Sequence, residues 1–283
     1  MTSIGVDLGG TNIRAGVREG DVIVRREQIS LIEKDSLEST LRQLTSLIRP
    51  LVSREISGIG IAVPSIVDSV NGIVYDVVNI PSWKKVEIKK ILEKEFKLPV
   101  RVNNDANCFA LGESLYGKAK GHDHVVGITL GTGVGSGLII NNEIYSGQNG
   151  GAGEVGYLNY RDRDFEFYGG SFFFEEVHKT TALQTFQKAN SGDEKALRIW
   201  DEYGVHIGDL VKSVVYAYDP QAVIFGGSIS NAFPLFEPSM RRTISTHFYF
   251  SGSMKKLKIL QSENADITLL GASSLVNQLS SAL

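Results

Sequence analysis

The feature that most narrows the possible folds is an internal repeat. Gly5-Val6-Asp7-Leu8-Gly9 lies without a gap on Gly127-Ile128-Thr129-Leu130-Gly131, 122 residues further on, and at the same offset Gly20-Asp21-Val22 falls on Asn142-Glu143-Ile144. Each copy reads strand, glycine turn, strand, polar turn, strand. Two related domains are therefore expected, each opening with the same three-stranded element. In the first copy, strands at Ser3 to Asp7 and Ile13 to Val17 flank Gly9-Gly10-Thr11, and a third short strand runs from Val22 to Arg25. Leu37, Leu41, Leu44, Ile48 and Leu51 then recur at helical spacing, and the apolar run Ile56 to Val63 stops at Pro64. That run has the look of a buried strand ending in a rigid turn.

A helix from Ile88 to Phe96, a strand from Val100 to Val102 and a helix from Ala106 to Tyr116 come next. Ile199, Tyr203, Ile207, Leu210 and Val214 mark a long helix that Asp219-Pro220 stops, because proline disfavours a helical residue before it. Val223-Ile224-Phe225 enters another glycine turn, and Leu269 to Leu283 has the spacing of a terminal helix. The fold class is α/β. With 283 residues at 42% hydrophobic, the chain can fill two modest cores.

Three function classes fall away on composition. A net charge of -3 leaves no basic surplus for phosphate backbones, so nucleic acid is not expected as a partner. No apolar run is long enough to cross a bilayer, and MTSIGVDLGG carries no secretion signal, so a cytoplasmic protein without a membrane partner is expected. Cys108 is the single cysteine, which excludes an internal disulfide and any cysteine-cluster metal site.

The glycine turns carry the first chemistry. Asp7-Leu8-Gly9-Gly10-Thr11-Asn12, Leu130-Gly131-Thr132-Gly133-Val134-Gly135 and Gly226-Gly227-Ser228 each follow a strand end. Glycine lets backbone approach a phosphate closely, while amides and Thr hydroxyls donate to its oxygens. Neither a Walker lysine motif nor a dinucleotide fingerprint is present, because the turn at Gly131 leads into a strand rather than a helix. Asp7 could hold magnesium through water, since that hard cation prefers carboxylates and keeps its waters. Taken singly, each turn is better read as a tight hairpin without a ligand.

Asn103-Asn104-Asp105 sits between a strand and a helix, where Asn and Asp serve as N-caps. The same residues could do chemistry, with Asp105 accepting a proton from an attacking hydroxyl and Asn104 hydrogen-bonding that substrate. Glu154, in Gly150-Gly151-Ala152-Gly153-Glu154, and Glu166 would add acceptors for a polyol, whose neighbouring hydroxyls are all donors.

On these stretches the chain resembles the ROK family of sugar kinases, within the actin-like ATPase superfamily. The resemblance rests on DLGGTNIR at 7–14, IAVPSIVD at 61–68, NIPSW at 79–83, VNNDANCFALGE at 102–113, TLGTGVGSG at 129–137, GGAGEVGY at 150–157 and VIFGGSIS at 223–230. It implies two similar actin-like (ribonuclease H-like) domains flanking a cleft, residues 1–107 joined by a helix at 268–283, and residues 108–267. It implies ATP with magnesium and a hexose as ligands, glucose to glucose 6-phosphate first among reactions, another hexose or an N-acetyl amino sugar as alternatives. ATP phosphates would meet Gly9, Gly10, Thr11, Asn12, Gly131, Thr132 and Gly133, with Gly226 and Gly227 by the adenosine. Asp105 would be the base, and Asn104, Glu154, Tyr157, Glu166 and the Ser65 loop would meet the sugar. Self-assembly into a homo-oligomer stays open. A sugar-responsive regulator is the alternative of another class, disfavoured because the first glycine turn begins at residue 7 and leaves no room before it for a helix-turn-helix domain.

Two departures from the family pattern bear on metal. Tyr157 stands where the family has a histidine that binds zinc and sugar, and the cysteines of that zinc site are missing. No zinc is expected, and the aromatic residues Phe165, Phe167, Tyr168, Phe172, Phe173 and Phe174 are expected to hold the Glu166 segment by packing.

Overall fold

A computed structural model describes residues 1–77, 79–246, 248 and 251–277. Two compact units emerge: residues 1–121 and 143–152 with the segment from Glu263 form one, and residues 122–142 with 153–262 form the other. The sequence expectation drew the line between 107 and 108. The grouping by contacts instead keeps the whole helix Asp105–Tyr116 with the first unit, because that helix packs on the C-terminal segment.

In the first unit, β1 (Thr2–Leu8), β2 (Asn12–Glu19), β3 (Val22–Ser30), β4 (Ile56–Val63) and β8 (Val100–Asn104) form one sheet in the order β3-β2-β1-β4-β8. β1 pairs antiparallel with β2, placing Asp7 opposite Arg14, and parallel with β4, placing Gly5 opposite Gly60. β4 in turn runs parallel to β8. The third strand reaches Ser30 rather than ending at Arg25, since its exposed edge tolerates the polar run Arg25 to Gln28. α1 (Leu37–Ile48) starts at Ser36, whose hydroxyl accepts the Ser39 N–H at 3.1 Å. β5 (Val67–Asp68), β6 (Ile73–Tyr75) and β7 (Lys85–Val86) make a small antiparallel sheet ahead of α2 (Ile88–Phe96). Ile4, Val6, Leu8, Ile59, Ile61 and Val63 lie in one buried cluster, each such side chain worth about 1.5–3 kcal/mol on burial.

α3 (Asp105–Tyr116) and α9 (Ile267–Ser274) cover this sheet. Glycines set how closely α9 sits: a Cβ on Gly5 would fall 2.1 Å from the Leu269 carbonyl oxygen, and one on Gly60 1.7 Å from that of Ala272. α9 ends at Ser274, and residues 278–283 of the expected terminal helix lie outside the described residues.

The second unit repeats the plan. β9 (Val125–Leu130), β10 (Val134–Ile140), β14 (Ala222–Gly226) and β15 (Lys258–Gln261) run in the order β10-β9-β14-β15, matching β2-β1-β4-β8 strand for strand and direction for direction. The third strand of the repeat shrinks to β11 (Glu143–Ile144), whose residues group with the first unit. After β10 the chain builds the hairpin β12 (Asn159–Tyr160) and β13 (Arg163–Asp164), then α4 (Phe165–Gly169). α5 (Ala182–Asn190), α6 (Glu194–Tyr218), α7 (Phe233–Ser245) and α8 (Ser251–Lys256) complete the unit, and α6 stops at Asp219 in left-handed conformation directly before Pro220. Among the described residues no helix is long and apolar enough to cross a membrane.

Candidate functional site

The β8–α3 junction gathers several of the first unit's candidate site residues. Asn104 ends β8 and caps α3: its side-chain oxygen accepts the N–H groups of Ala106 at 2.8 Å and Asn107 at 3.2 Å, while its amide nitrogen donates to the Ser65 carbonyl at 3.2 Å. Capping therefore falls to Asn104, leaving Asp105 as the first helical residue. Its carboxylate accepts the Ala106 N–H at 2.9 Å. Beneath it, Asn103 accepts hydrogen bonds from the Asn104 N–H at 2.8 Å and the Asn107 amide at 3.0 Å. Asn103 and Asn107 are both buried, a structural layer that the sequence reading did not single out. Ser65 turns its hydroxyl onto the Tyr75 carbonyl, which ties its loop to the small sheet.

Because β1, β4 and β8 are parallel, the Asp7 turn and the Asn104-Asp105 junction lie at the same end of one sheet. Two strand spacings separate them, roughly 10 Å. Asp7 takes two hydrogen bonds from Arg14, at 2.6 and 3.2 Å. Cys108 lies buried below both carboxylates: burial pushes its thiol well above the ordinary value, and the charges of Asp105 and Asp7 add to the shift. In the turn itself, a Cβ on Gly10 would meet the Asn79 side chain at 2.2 Å, so only glycine fits there.

In the second unit the turn Gly131-Thr132-Gly133 closes with the Gly131 N–H on the Gly133 carbonyl at 3.0 Å. Gly227, at φ +82°, approaches the Leu130 carbonyl so closely that a Cβ would fall 2.3 Å from it, which brings the two glycine turns together. Glu166 sits in the first turn of α4, capped by Asp164 accepting the Phe167 N–H at 2.8 Å. Its carboxylate accepts the Val134 N–H at 3.3 Å.

Glu154, Tyr157 and Glu166 form one electrostatic cluster. Burial raises the Glu154 carboxyl above its ordinary value and the Glu166 charge adds to that; Tyr157 is raised first by Glu166, then by burial and Glu154. Glu166 is raised by burial, partly offset by the Val134 N–H. Two carboxyls and the Tyr157 phenol thus share one region, each held at raised proton affinity by its surroundings.

Aromatic packing supports this cluster. Tyr160 stacks on Phe165 at 4.3 Å between centroids, and its hydroxyl donates to Asp209 at 2.8 Å and lies 3.1 Å from His206 Nδ1. Phe173, fully buried, meets Phe174, His178, Tyr203 and His206. Phe165 and Phe174 are buried too, whereas Phe172 is exposed and only stacks on Phe167. Tyr160, His206 and Asp209 went unread in the sequence, since nothing local ties residues so distant along the chain. Among the described residues the His and Cys donors do not gather into a zinc site. Cys108 is buried in α3 of the first unit, His206 faces Tyr160, and His178 Nε2 lies 3.3 Å from a Glu202 carboxylate oxygen. Among the described residues no group of three or more His, Cys, Asp or Glu could hold a metal ion.

Two matched sheets with glycine turns at their strand ends define a two-domain protein of the actin-like ATPase class. The model of the ROK family matches residues 3–171 and 171–279, and the chain belongs to that family. It is 28% identical to a glucokinase of Thermotoga maritima over 97% of both chains. It is also 28% identical to a xylose repressor of Bacillus subtilis, over 97% of this chain and 76% of the repressor. Among solved structures, a ROK family glucokinase from Streptomyces griseus in complex with glucose and AMPPNP superposes with a TM-score of 0.83 at 25% identity, over 98% of this chain and 100% of that one.

Proposed function

We propose that this protein is an ATP-dependent hexose kinase that converts glucose to glucose 6-phosphate. The observation that carries the reading is the pairing of Asp105, presented at a capped helix start, with the Asp7 glycine turn at the same end of one sheet. Kinship with glucokinases supports the substrate class.

In this mechanism the sugar hydroxyl gives its proton to Asp105 while its oxygen attacks the terminal phosphorus, and the bond to the ADP oxygen breaks. The chemistry needs positioning and charge neutralisation more than covalent help. Glu154 and Glu166 accept hydrogen bonds from sugar hydroxyls, with Tyr157 beside them, and Asn104 and the Ser65 loop orient the attacking group. Amides of Gly9 to Asn12 and Gly131 to Gly133 hold phosphate oxygens, while Gly226 and Gly227 border the adenosine. Magnesium would be held through water by Asp7 and would neutralise phosphate charge.

The test is a panel of glucose, mannose, fructose, allose and N-acetyl amino sugars, each with ATP or polyphosphate, read by product formation. Rapid turnover of glucose with ATP is expected. Turnover only with another hexose or an N-acetyl amino sugar would reassign the substrate. Sugar binding without any phosphorylation would favour the regulator reading that kinship with the xylose repressor also supports.

A further inference from the structure

The glycine turn after β1 lacks a cation of its own. Residues 7–12 read Asp-Leu-Gly-Gly-Thr-Asn, and the nearest basic residue in sequence, Arg14, is committed to Asp7 and to the Ala265 carbonyl at 3.0 Å. An anionic phosphate arriving at this turn would meet backbone amides and the Asp7 carboxylate. A charge from elsewhere is needed.

The fold brings one. After β3 the chain folds back over the turn: the Leu31 N–H donates to the Thr11 carbonyl at 2.8 Å, and the Ser30 hydroxyl donates to the Asn12 side chain at 3.2 Å. These two bonds fix the segment that follows, and Lys34, half-buried, donates from Nζ to the Gly10 carbonyl. Among the described residues it is the one cation hydrogen-bonded to residues 9–12, and no carboxylate there forms an ion pair with it. A lone ammonium on a neutral carbonyl is weakly held compared with the same ammonium on a phosphate oxygen. The four-carbon stem lets it move from one to the other.

We propose that Lys34 is a phosphate-binding residue that leaves the Gly10 carbonyl to contact the terminal phosphate of the nucleotide. The inference rests on the kinase reading above. The terminal phosphate is the one assigned because the turn shares its sheet end with Asp105, and the phosphoryl group transferred is the one nearest the base.

Calorimetric titration of ATP and of ADP into wild type, Lys34→Gln and Lys34→Arg, without sugar, tests it. Lys34→Gln should bind ATP about tenfold more weakly, the worth of one charge-assisted hydrogen bond, while ADP affinity stays within about twofold. Lys34→Arg should recover most of the loss, and melting temperatures should agree. An unchanged ATP affinity in Lys34→Gln would overturn the proposal. So would an equal loss for ATP and ADP, which would mark a structural role, or a wild type that binds no ATP. A wild type whose ATP binding depends on Lys34 but that phosphorylates no sugar would uphold this role and sink only the sugar-kinase reading.

Discussion

In the first unit the glycine turn follows Asp7, whose carboxylate carries two hydrogen bonds from Arg14; in the second the matching turn follows Thr129, a neutral side chain lying 3.4 Å from the Gly135 carbonyl. The strands around both turns run in the same order and directions. What differs is how each unit holds its remaining acidic groups. Asp105 stands at a strand–helix junction fixed by backbone hydrogen bonds, with Asn104 as the cap and buried amides beneath. Glu154 and Glu166 stand on chain inserted after β10, and aromatic rings hold that insertion in place. A repeated framework can thus be specialised twice, once by changing residues at a strand end and once by adding a packed platform beside it.

The hydrogen-bonded half of this contrast is broken most directly by Asp105→Asn. The amide keeps size and hydrogen bonding while removing the base, so turnover should fall about a hundred- to ten-thousand-fold with glucose affinity changed only slightly. Steady-state kinetics with glucose titration read both. A variant keeping half of wild-type turnover would reduce Asp105 to a structural residue.

The packed half is broken by Phe173→Ala. This ring is fully buried against four aromatic partners, and its loss should cost about 3–5 kcal/mol in denaturant unfolding, with a raised KM for sugar. A loss below about 1 kcal/mol would mean that the platform is held some other way.

A smaller effect sharpens the contrast through pH. His206 is buried, and its pKa is lowered from 6.5 to about 4, first by that burial and then by Arg161 and His178, with Asp209 opposing them. Tyr160 and Glu202 also face the ring. Between those two values the unfolded chain holds a proton that the folded one does not, so this group's contribution is present above pH 6.5 and lost as pH falls towards 4. The raised carboxyls of Glu154 and Glu166 act in the opposite sense, and comparison with a variant removes their share. Unfolding at about pH 7.5 and about pH 5 should therefore show wild type losing more stability than His206→Gln, by no more than about 1.4 kcal/mol per pH unit. Equal losses would show that His206 is free to protonate in the fold.

The smallest expected effect is none. If rings rather than metal order the Glu166 platform, elemental analysis should find no stoichiometric zinc, and a zinc chelator with magnesium in excess should leave kinase activity and melting temperature unchanged. Bound zinc whose removal lowered either would break the contrast.

Local signals determined a large part of this protein. The repeat at Gly5 and Gly127, the strand Ile56–Val63 and the helix Ile88–Phe96 were readable from periodicity and turn chemistry, because neighbouring residues alone set those patterns. The same holds for the stop at Asp219-Pro220 and for the candidate site stretches, since glycine turns and a strand–helix junction leave a mark within a few residues. The tertiary structure decided what depends on residues far apart in sequence. It placed α3 with the first unit by packing it on α9, assigned the cap to Asn104 rather than Asp105, and laid the Lys34 segment over the Gly10 turn. It also joined Tyr160 to His206 and Asp209 and stacked it on Phe165, the residue before Glu166. No period along the chain encodes such meetings, because each is set by the burial and hydrogen bonding of surfaces that exist only after the sheets have formed.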